Sequence, residues 1–194
     1  GRLYTSFKTY TELPKDKDGK PVYSAVKNYT DTADTGDDYL CSIDYVEYNN
    51  EAYVINVIYT KDGMEITEPA VAEMLFKDNV NDADIESNNG GRGFARNVER
   101  ILNNKYKSNK TIINTFYQSK NKQSRILSNS TWVMNHIYFP VNWKDNTGLW
   151  KLPNWAKATI GIIALAGSIG LTLVSGGSLA PLLISVAVST SSGA

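Results

Sequence analysis

Three strand-like segments follow one another before any helical pattern begins, and this order constrains the fold more than any other feature of the sequence. Residues 25–32, 39–47 and 52–60 are rich in β-branched and aromatic side chains, which favour strands. Asn49 and Asn50 separate the second and third segments, and Asn tolerates the positive φ angles of a tight hairpin turn. We therefore predict a three-stranded antiparallel meander.

Helical and strand-like segments alternate after this meander. A helix is predicted to begin with Thr67 as its N-cap and Pro69 in its first turn, and a second is predicted from Phe94, where apolar residues recur at helical spacing. Short strands are predicted at 82–87, 111–117 and 137–140, and a third helix at 126–135. This order implies an α/β fold with helices on the faces of a mixed sheet, and it is the element order of an RNase H-like fold.

Composition divides the chain into three regions. Residues 1–22 are rich in turn-forming residues without periodicity and indicate a linker, and residues 23–145 contain the predicted sheet. Residues 146–194 form a hydrophobic, Gly/Ser-rich tail whose last 37 residues carry no charge. Its longest apolar stretch, 158–174, is shorter than the about 20 residues of a spanning helix. A buried helical hairpin, a membrane-seeking tail and an out-of-frame sequence all stay open.

The charges are segregated, although the formal net charge of the 194 residues is zero. Between Asp31 and Glu86 the chain has 15 acidic and 2 basic residues, whereas between Arg92 and Arg125 it has 9 basic residues and 1 acidic residue. Such an asymmetry is typical either of two solvated faces or of an acidic metal-binding cluster beside a basic track for a polyanion. A neutral total therefore does not exclude a nucleic-acid partner.

Carboxylates are the candidate metal ligands, because one cysteine and one histidine are too few for a disulfide framework, a Cys-rich zinc module or a multi-His site. Asp31 ends the first predicted strand and Glu86 ends the fourth. We expect those strands to be neighbours, so that the two carboxylates converge. A hard divalent cation such as Mg²⁺ would stabilise them, and two ions about 4 Å apart can support phosphodiester cleavage. Two solvated acids are the alternative.

Basic residues that follow Glu86 are candidate DNA ligands. Arg92, Arg96 and Arg100 recur at every fourth position and therefore share one face of the second helix. The Gly-rich loop 88–93, which contains Arg92, lacks the spacing of a nucleotide-binding motif. We expect Arg92 and Arg96 to hold a DNA backbone phosphate beside the metal site. The remaining candidates lie in a polar loop and are Lys120, Lys122 and Arg125.

Four segments together resemble the nuclease domain of tailed-phage large terminases. They are NYTDTADTGDDY at 28–39, IESNNGGRGFAR at 85–96, QSKNK at 118–122 and WVMNHIYFPVNW at 132–143. The resemblance covers residues 1–144 and implies a metal-dependent endonuclease of RNase H-like fold that binds two Mg²⁺ or Mn²⁺ ions. It also implies that concatemeric double-stranded viral DNA is cut during packaging in the host cytoplasm, with the portal protein and the small terminase subunit as partners.

The same resemblance implies roles for individual residues. Asp31 and Glu86 take the positions of the first two metal ligands and catalytic acids, in agreement with the strand argument, and the ATPase motor of the family would precede Gly1. The chain departs from the family after Trp143, because its last acid, Asp145, does not match the third metal-binding acid. We hypothesise a truncated, frame-shifted or rearranged terminase gene whose site holds its second ion poorly.

Functions of other classes stay open on the sequence. One is a non-catalytic DNA-binding packaging fragment that uses only the basic band from Arg92 to Arg125. Another is a membrane-associated protein that inserts through residues 158–188. A different RNase H-like nuclease, such as a junction resolvase, is also compatible with the predicted fold.

Overall fold

The computed structural model describes residues 8–32, 40–117 and 135–141 of the chain. Two helices lie wholly within these ranges, α1 (Met64–Lys77) and α2 (Gly91–Lys105), and a short 3-10 turn at Asn88–Gly90 precedes α2. The strands are β1 (Lys8–Tyr10), β2 (Val26–Asp31), β3 (Leu40–Tyr48), β4 (Glu51–Thr60), β5 (Asp82–Glu86), β6 (Ile112–Phe116) and β7 (Ile137–Pro140).

The strands of the described residues form one mixed sheet with the order β1-β7-β4-β3-β2-β5-β6. β2, β3 and β4 pair antiparallel, as the predicted meander requires. β5 joins β2 in parallel and β6 joins β5 in parallel, while β7 and β1 extend the opposite side of the sheet, also by parallel pairing. The predicted α/β mixed sheet is confirmed.

The hairpin between β3 and β4 turns where the sequence predicts it. Asn49 and Asn50 have φ angles of 51° and 58°, and two successive positive φ angles are typical of the type I′ turn that matches strand twist. Farther along, the pairing of β3 with β4 skips Ile55. Such a bulge increases the local twist of the sheet.

Both helices pack on the same face of the sheet. Phe94, Val98 and Leu102 recur at helical spacing along α2 and are buried in one cluster with Ala83 and Ile85 of β5. α1 adds further buried apolar side chains to this cluster, namely Val71, Ala72 and Leu75. Burial of this apolar stripe holds α2 over β5, next to the strand end that carries Glu86.

A polar network lies buried between β2 and β3 on the helix-covered face. Asn28 Nδ2 donates to Ser42 Oγ at 2.9 Å and to Asp44 Oδ1 at 2.6 Å, and Thr30 Oγ1 donates to Asn28 Oδ1 at 2.9 Å. Burial raises the pKa of Asp44 well above its usual value; a hydrogen bond with Asp78 raises it further, and the Asn28 amide lowers it. The fold therefore favours a protonated Asp44 at the end of this network.

α1 begins earlier than the sequence predicts. Its first residue is Met64, and Gly63 is its N-cap. The Thr67 hydroxyl does not cap the helix but donates to the Gly63 carbonyl one turn back, at 3.2 Å. Pro69 consequently lies inside the helix rather than in its first turn. The Thr-x-Pro pattern therefore predicted the wrong helix start, because a threonine hydroxyl can also donate to a carbonyl of the preceding turn.

α2 also begins earlier than predicted, at Gly91 instead of Phe94. Gly90, with a φ of 98°, is its N-cap and ends the 3-10 turn in a left-handed conformation that glycine adopts without strain. The helix can therefore start immediately after this residue.

β1 lies within residues 1–22, where the sequence indicates a linker. Tyr53 stacks on Tyr138 with ring centroids 4.7 Å apart, Tyr10 meets Tyr53 edge-on at 5.5 Å, and Lys8 Nζ lies 5.2 Å from the Tyr138 ring centroid. These contacts join β1, β7 and β4 across 130 positions of sequence, so no local pattern predicts the strand. The domain boundary at residue 23 stays a prediction.

Several predicted features lie outside the described residues. They are the helix at 126–135 except for Asn135, the tail at 146–194, and Lys120, Lys122 and Arg125. Within the described ranges, neither helix has the length and apolar character needed to cross a membrane.

Candidate active site

Asp31 and Glu86 end two strands that lie side by side and run in parallel. Thr30 pairs with Ile85, so Asp31 and Glu86 are the next residues along β2 and β5. Neighbouring strands are about 5 Å apart and successive side chains alternate between faces. Because Ile85 belongs to the helix-covered core, both acids point to the other face. The structure thus brings together the two acids that the sequence selects.

Both carboxylates are withdrawn from solvent, with Asp31 only 3% exposed and Glu86 only 6% exposed. Two adjacent buried carboxylates repel each other and lose hydration, and a cation between them offsets both costs. Two hard oxygen donors of this kind fit a divalent cation such as Mg²⁺ or Mn²⁺. In the described part of the chain, no group of three or more Asp, Glu, His or Cys residues is arranged to hold a metal ion.

The backbone at Glu86 is packed between a hydroxyl and a glycine. Thr32 Oγ1 donates to the Glu86 carbonyl oxygen at 3.3 Å, and Thr32 is buried. A Cβ atom at Gly91 would lie 1.9 Å from the same oxygen. The first turn of α2 therefore approaches the strand end as closely as glycine allows. The positive end of the α2 dipole accordingly faces the edge at which Asp31 and Glu86 lie.

An aromatic residue of β6 lies beside Glu86 in the sheet. Phe116 is the register partner of Glu86, and its ring lies 5.2 Å from that of Tyr29. The Ser87 backbone amide and hydroxyl both donate to the Phe116 carbonyl, at 2.7 and 2.8 Å. These bonds fix β6 to the end of β5.

Asp84 lies on the same face as Glu86, two residues earlier on β5. Burial raises the pKa of Asp84 to about 6, whereas the Asn114 side chain and the Lys27 charge lower it. Asn114 is also its register partner on β6. Asp84 therefore interacts with Asn114 of β6 and Lys27 of β2, and it lies two residues before Glu86 on β5.

A groove of about 430 Å³ runs between α2 and β6. Arg92, Ala95, Arg96 and Glu99 line it from the helix, and Ile113 and Thr115 line it from the strand. Since Ile113 and Thr115 pair with core residues of β5, the groove lies on the helix-covered face. Its two arginines form a cationic wall that fits a phosphate-bearing ligand.

Comparison with known proteins decides the family. The family model described as the ribonuclease H-like domain of the bacteriophage T7 terminase matches residues 30–137, which is more than half of the chain. The chain belongs to this terminase family. No curated protein sequence matches the terminase domain.

Solved structures similar to this terminase domain show the same fold. The manganese-soaked nuclease domain of human cytomegalovirus terminase has a TM-score of 0.54 and 12% identity, over 84% of this chain and 88% of that chain. The fowlpox virus resolvase, solved with Holliday junction DNA, has a TM-score of 0.51 and 13% identity, over 78% and 97%. The predicted RNase H-like fold and the resemblance to terminase nucleases are thereby confirmed.

The nuclease domain of the large terminase subunit of bacterial virus Sf6 is similar at a TM-score of 0.49 and 12% identity, over 87% of this chain and 88% of that chain. Its similarity is lower than that of the other two structures and adds no further argument.

Two of the three arginines that the sequence places on one face of α2 line the groove of this terminase domain. Arg92 and Arg96 line the groove, whereas Arg100 donates to Asn97 Oδ1 at 3.4 Å, and Asn97 in turn donates to Glu68 of α1 at 3.0 Å. A spacing of four residues advances by 40° per step, so the three arginines span about 80° of the helix surface. DNA contact by any of these residues stays a prediction.

Sequence reasoning missed Thr32 and Gly91. Thr32 directly follows Asp31 in an Asp-Thr-Ala motif, and Gly91 lies in the Gly-rich loop, so both were within segments that the sequence singled out. Their roles became visible only through the distances that join them to Glu86.

Proposed function

We propose that this chain is the metal-dependent endonuclease domain of a viral DNA-packaging terminase large subunit and that it cuts double-stranded DNA. The observation that carries the proposal is the pair of buried carboxylates, Asp31 and Glu86, at the ends of adjacent parallel strands. The terminase family of the chain and its RNase H-like fold agree with this chemistry.

Each part of the site has a distinct role in this proposal. Asp31 and Glu86 hold the divalent cation, which supplies charge stabilisation and an activated water for phosphodiester hydrolysis when it is bound. Arg92 follows Gly91 directly and lines the groove on the face opposite to that of the two acids, where its guanidinium can hold a backbone phosphate. Arg96 extends this phosphate contact by one helical turn, along the groove.

The number of carboxylates limits how many ions the site holds. Two acids supply enough oxygen ligands for one cation that keeps several waters, as Mg²⁺ usually does. We propose that a second ion binds more weakly than the first, since Asp145 does not match the third acid of the family. Cleavage would then continue to increase with metal concentration after the first ion has bound.

Metal-dependent nicking of supercoiled plasmid tests the proposal. We expect Asp31→Asn and Glu86→Gln each to lower the rate at least 100-fold in Mn²⁺, because each removes an anionic ligand. Asp62→Asn, which changes an exposed carboxylate after β4, is the matched control and should keep the wild-type rate. Equal nicking by Asp31→Asn and the control would refute the assignment.

A non-catalytic DNA-binding role is the second candidate, and the arginine-lined groove favours it. Binding to duplex DNA would then fall steeply with salt and would not change with Mg²⁺ or with loss of Glu86. Within a packaging complex in the host cytoplasm, either role would place the domain beside the portal protein and the small terminase subunit.

A further inference from the structure

Thr32 connects the two strand ends that carry the acids. It follows Asp31 on the β2 side, and its hydroxyl donates to the backbone carbonyl of Glu86 on the β5 side at 3.3 Å. Thr32 is 5% exposed, so this hydrogen bond is shielded from water. The bond lies beyond Thr30 and Ile85, the last pair of the β2–β5 ladder. It therefore continues the connection between the strands where the ladder has ended.

Gly91 restricts the same carbonyl from the side of α2. A Cβ at this position would lie 1.9 Å from the Glu86 oxygen and 3.2 Å from Thr32 Oγ1. The carbonyl is thus enclosed by the threonine hydroxyl and the first residue of the helix. These two contacts restrict rotation of the peptide group at Glu86. The Cα–Cβ bond of Glu86 therefore keeps one direction.

We propose that Thr32 is a positioning residue that sets the separation of the Asp31 and Glu86 carboxylates and thereby the affinity of the site for a divalent cation. This inference rests on the proposed metal-dependent function. Thr32 acts through the Glu86 backbone, so its side chain need not touch the ion. Loss of the hydroxyl leaves a buried carbonyl without this donor and lets the strand ends separate.

Two substitutions distinguish the hydroxyl from the volume of the side chain. Thr32→Val keeps the shape and the β-branch but cannot donate, whereas Thr32→Ser keeps the donor and loses one methyl group. Partners that orient metal ligands typically change affinity by about 10- to 100-fold. We expect Mn²⁺ to bind Thr32→Val at least about tenfold more weakly than wild type, and Thr32→Ser within about threefold of wild type.

Isothermal titration of Mn²⁺ into the full 194-residue chain measures these affinities, and thermal unfolding without metal measures stability separately. A purely structural role would lower the stability of Thr32→Val but leave the Mn²⁺ affinity of its folded fraction unchanged, and that result would overturn the inference. If Thr32→Val does not fold, Thr32→Ala replaces it, with the same expectation for affinity.

The controls separate this inference from the proposed function. Asp31→Asn should abolish Mn²⁺ binding at the site. If wild type and Asp31→Asn bind Mn²⁺ with the same affinity, both the metal assignment and this inference are overturned. If Asp31→Asn abolishes Mn²⁺ binding but Thr32→Val and Thr32→Ser bind Mn²⁺ with equal affinity, only the role of Thr32 is overturned.

Discussion

Substitution of Gly91 by alanine tests whether close packing of α2 fixes the strand end that carries Glu86. The added Cβ would lie 1.9 Å from the Glu86 carbonyl oxygen, whereas real Cβ contacts are essentially never shorter than 3.0 Å. The obstacle is backbone and not the end of a flexible side chain. The helix and the strand end must therefore separate by about 1 Å or more.

Gly93 provides the matched control, two residues later in the same helix. A Cβ there meets nothing within 4 Å. Overpacking against rigid neighbours costs about 1–3 kcal/mol and occasionally more, so we expect Gly91→Ala to lower the free energy of unfolding by about 3 kcal/mol. Gly93→Ala should raise it by about 0.5–1 kcal/mol, because alanine favours the helix.

Urea unfolding and thermal unfolding, both followed by circular dichroism, measure the free energy of unfolding and the melting temperature of both variants. At about 2–4 °C per kcal/mol for a chain of this size, the melting temperature of Gly91→Ala should fall by about 6–12 °C. Its Mn²⁺ affinity should fall as well, since a displacement of Glu86 by about 1 Å disturbs the spacing of the carboxylates. The steric reasoning is refuted if Gly91→Ala is as stable as Gly93→Ala.

Two further perturbations address the buried network and the groove. The pKa of Asp44 is raised in the folded state, so the folded protein keeps a proton at pH values where the unfolded chain has released it. The free energy of unfolding therefore falls by about 1.4 kcal/mol per pH unit between the ordinary pKa of an aspartate and the raised pKa of the folded state. Asp44→Asn should remove this slope in urea titrations between pH 4 and 8, and parallel profiles for both proteins would contradict it. Arg96→Gln should weaken duplex binding and lower the salt dependence of log K by about 1, measured by fluorescence anisotropy, whereas Arg100→Gln should have a smaller effect because that side chain bonds to Asn97. Equal slopes for wild type and Arg96→Gln would exclude a phosphate contact.

Local patterns predicted the central part of the sheet well. β-branched and aromatic content identified β2, β3 and β4, and the Asn49–Asn50 pair identified the turn between β3 and β4. The strand argument placed Asp31 beside Glu86, and the parallel pairing of β2 with β5 has that geometry. Their role as metal ligands stays a prediction, because adjacency alone does not establish chemistry.

Features that depend on distant residues were beyond the sequence. β1 exists through its pairing with β7, and three residues carry too little pattern to indicate a strand. Thr32 and Gly91 act through a single carbonyl that lies 54 residues from the first and five from the second. The start of α1 was misplaced because Thr67 and Pro69 imitate a helix beginning, whereas the Thr67 hydroxyl bonds to the Gly63 carbonyl one turn earlier.

The position of β1 has a practical consequence for anyone who divides the protein. A recombinant fragment started at residue 23, where composition changes, would delete a strand that covers the outer side of β7, together with Tyr10, whose ring meets Tyr53 edge-on. An exposed edge strand of this kind can pair with another copy of the chain and cause self-association. Expression boundaries for this terminase domain are therefore best set upstream of Lys8, so that the segment which looks dispensable stays attached.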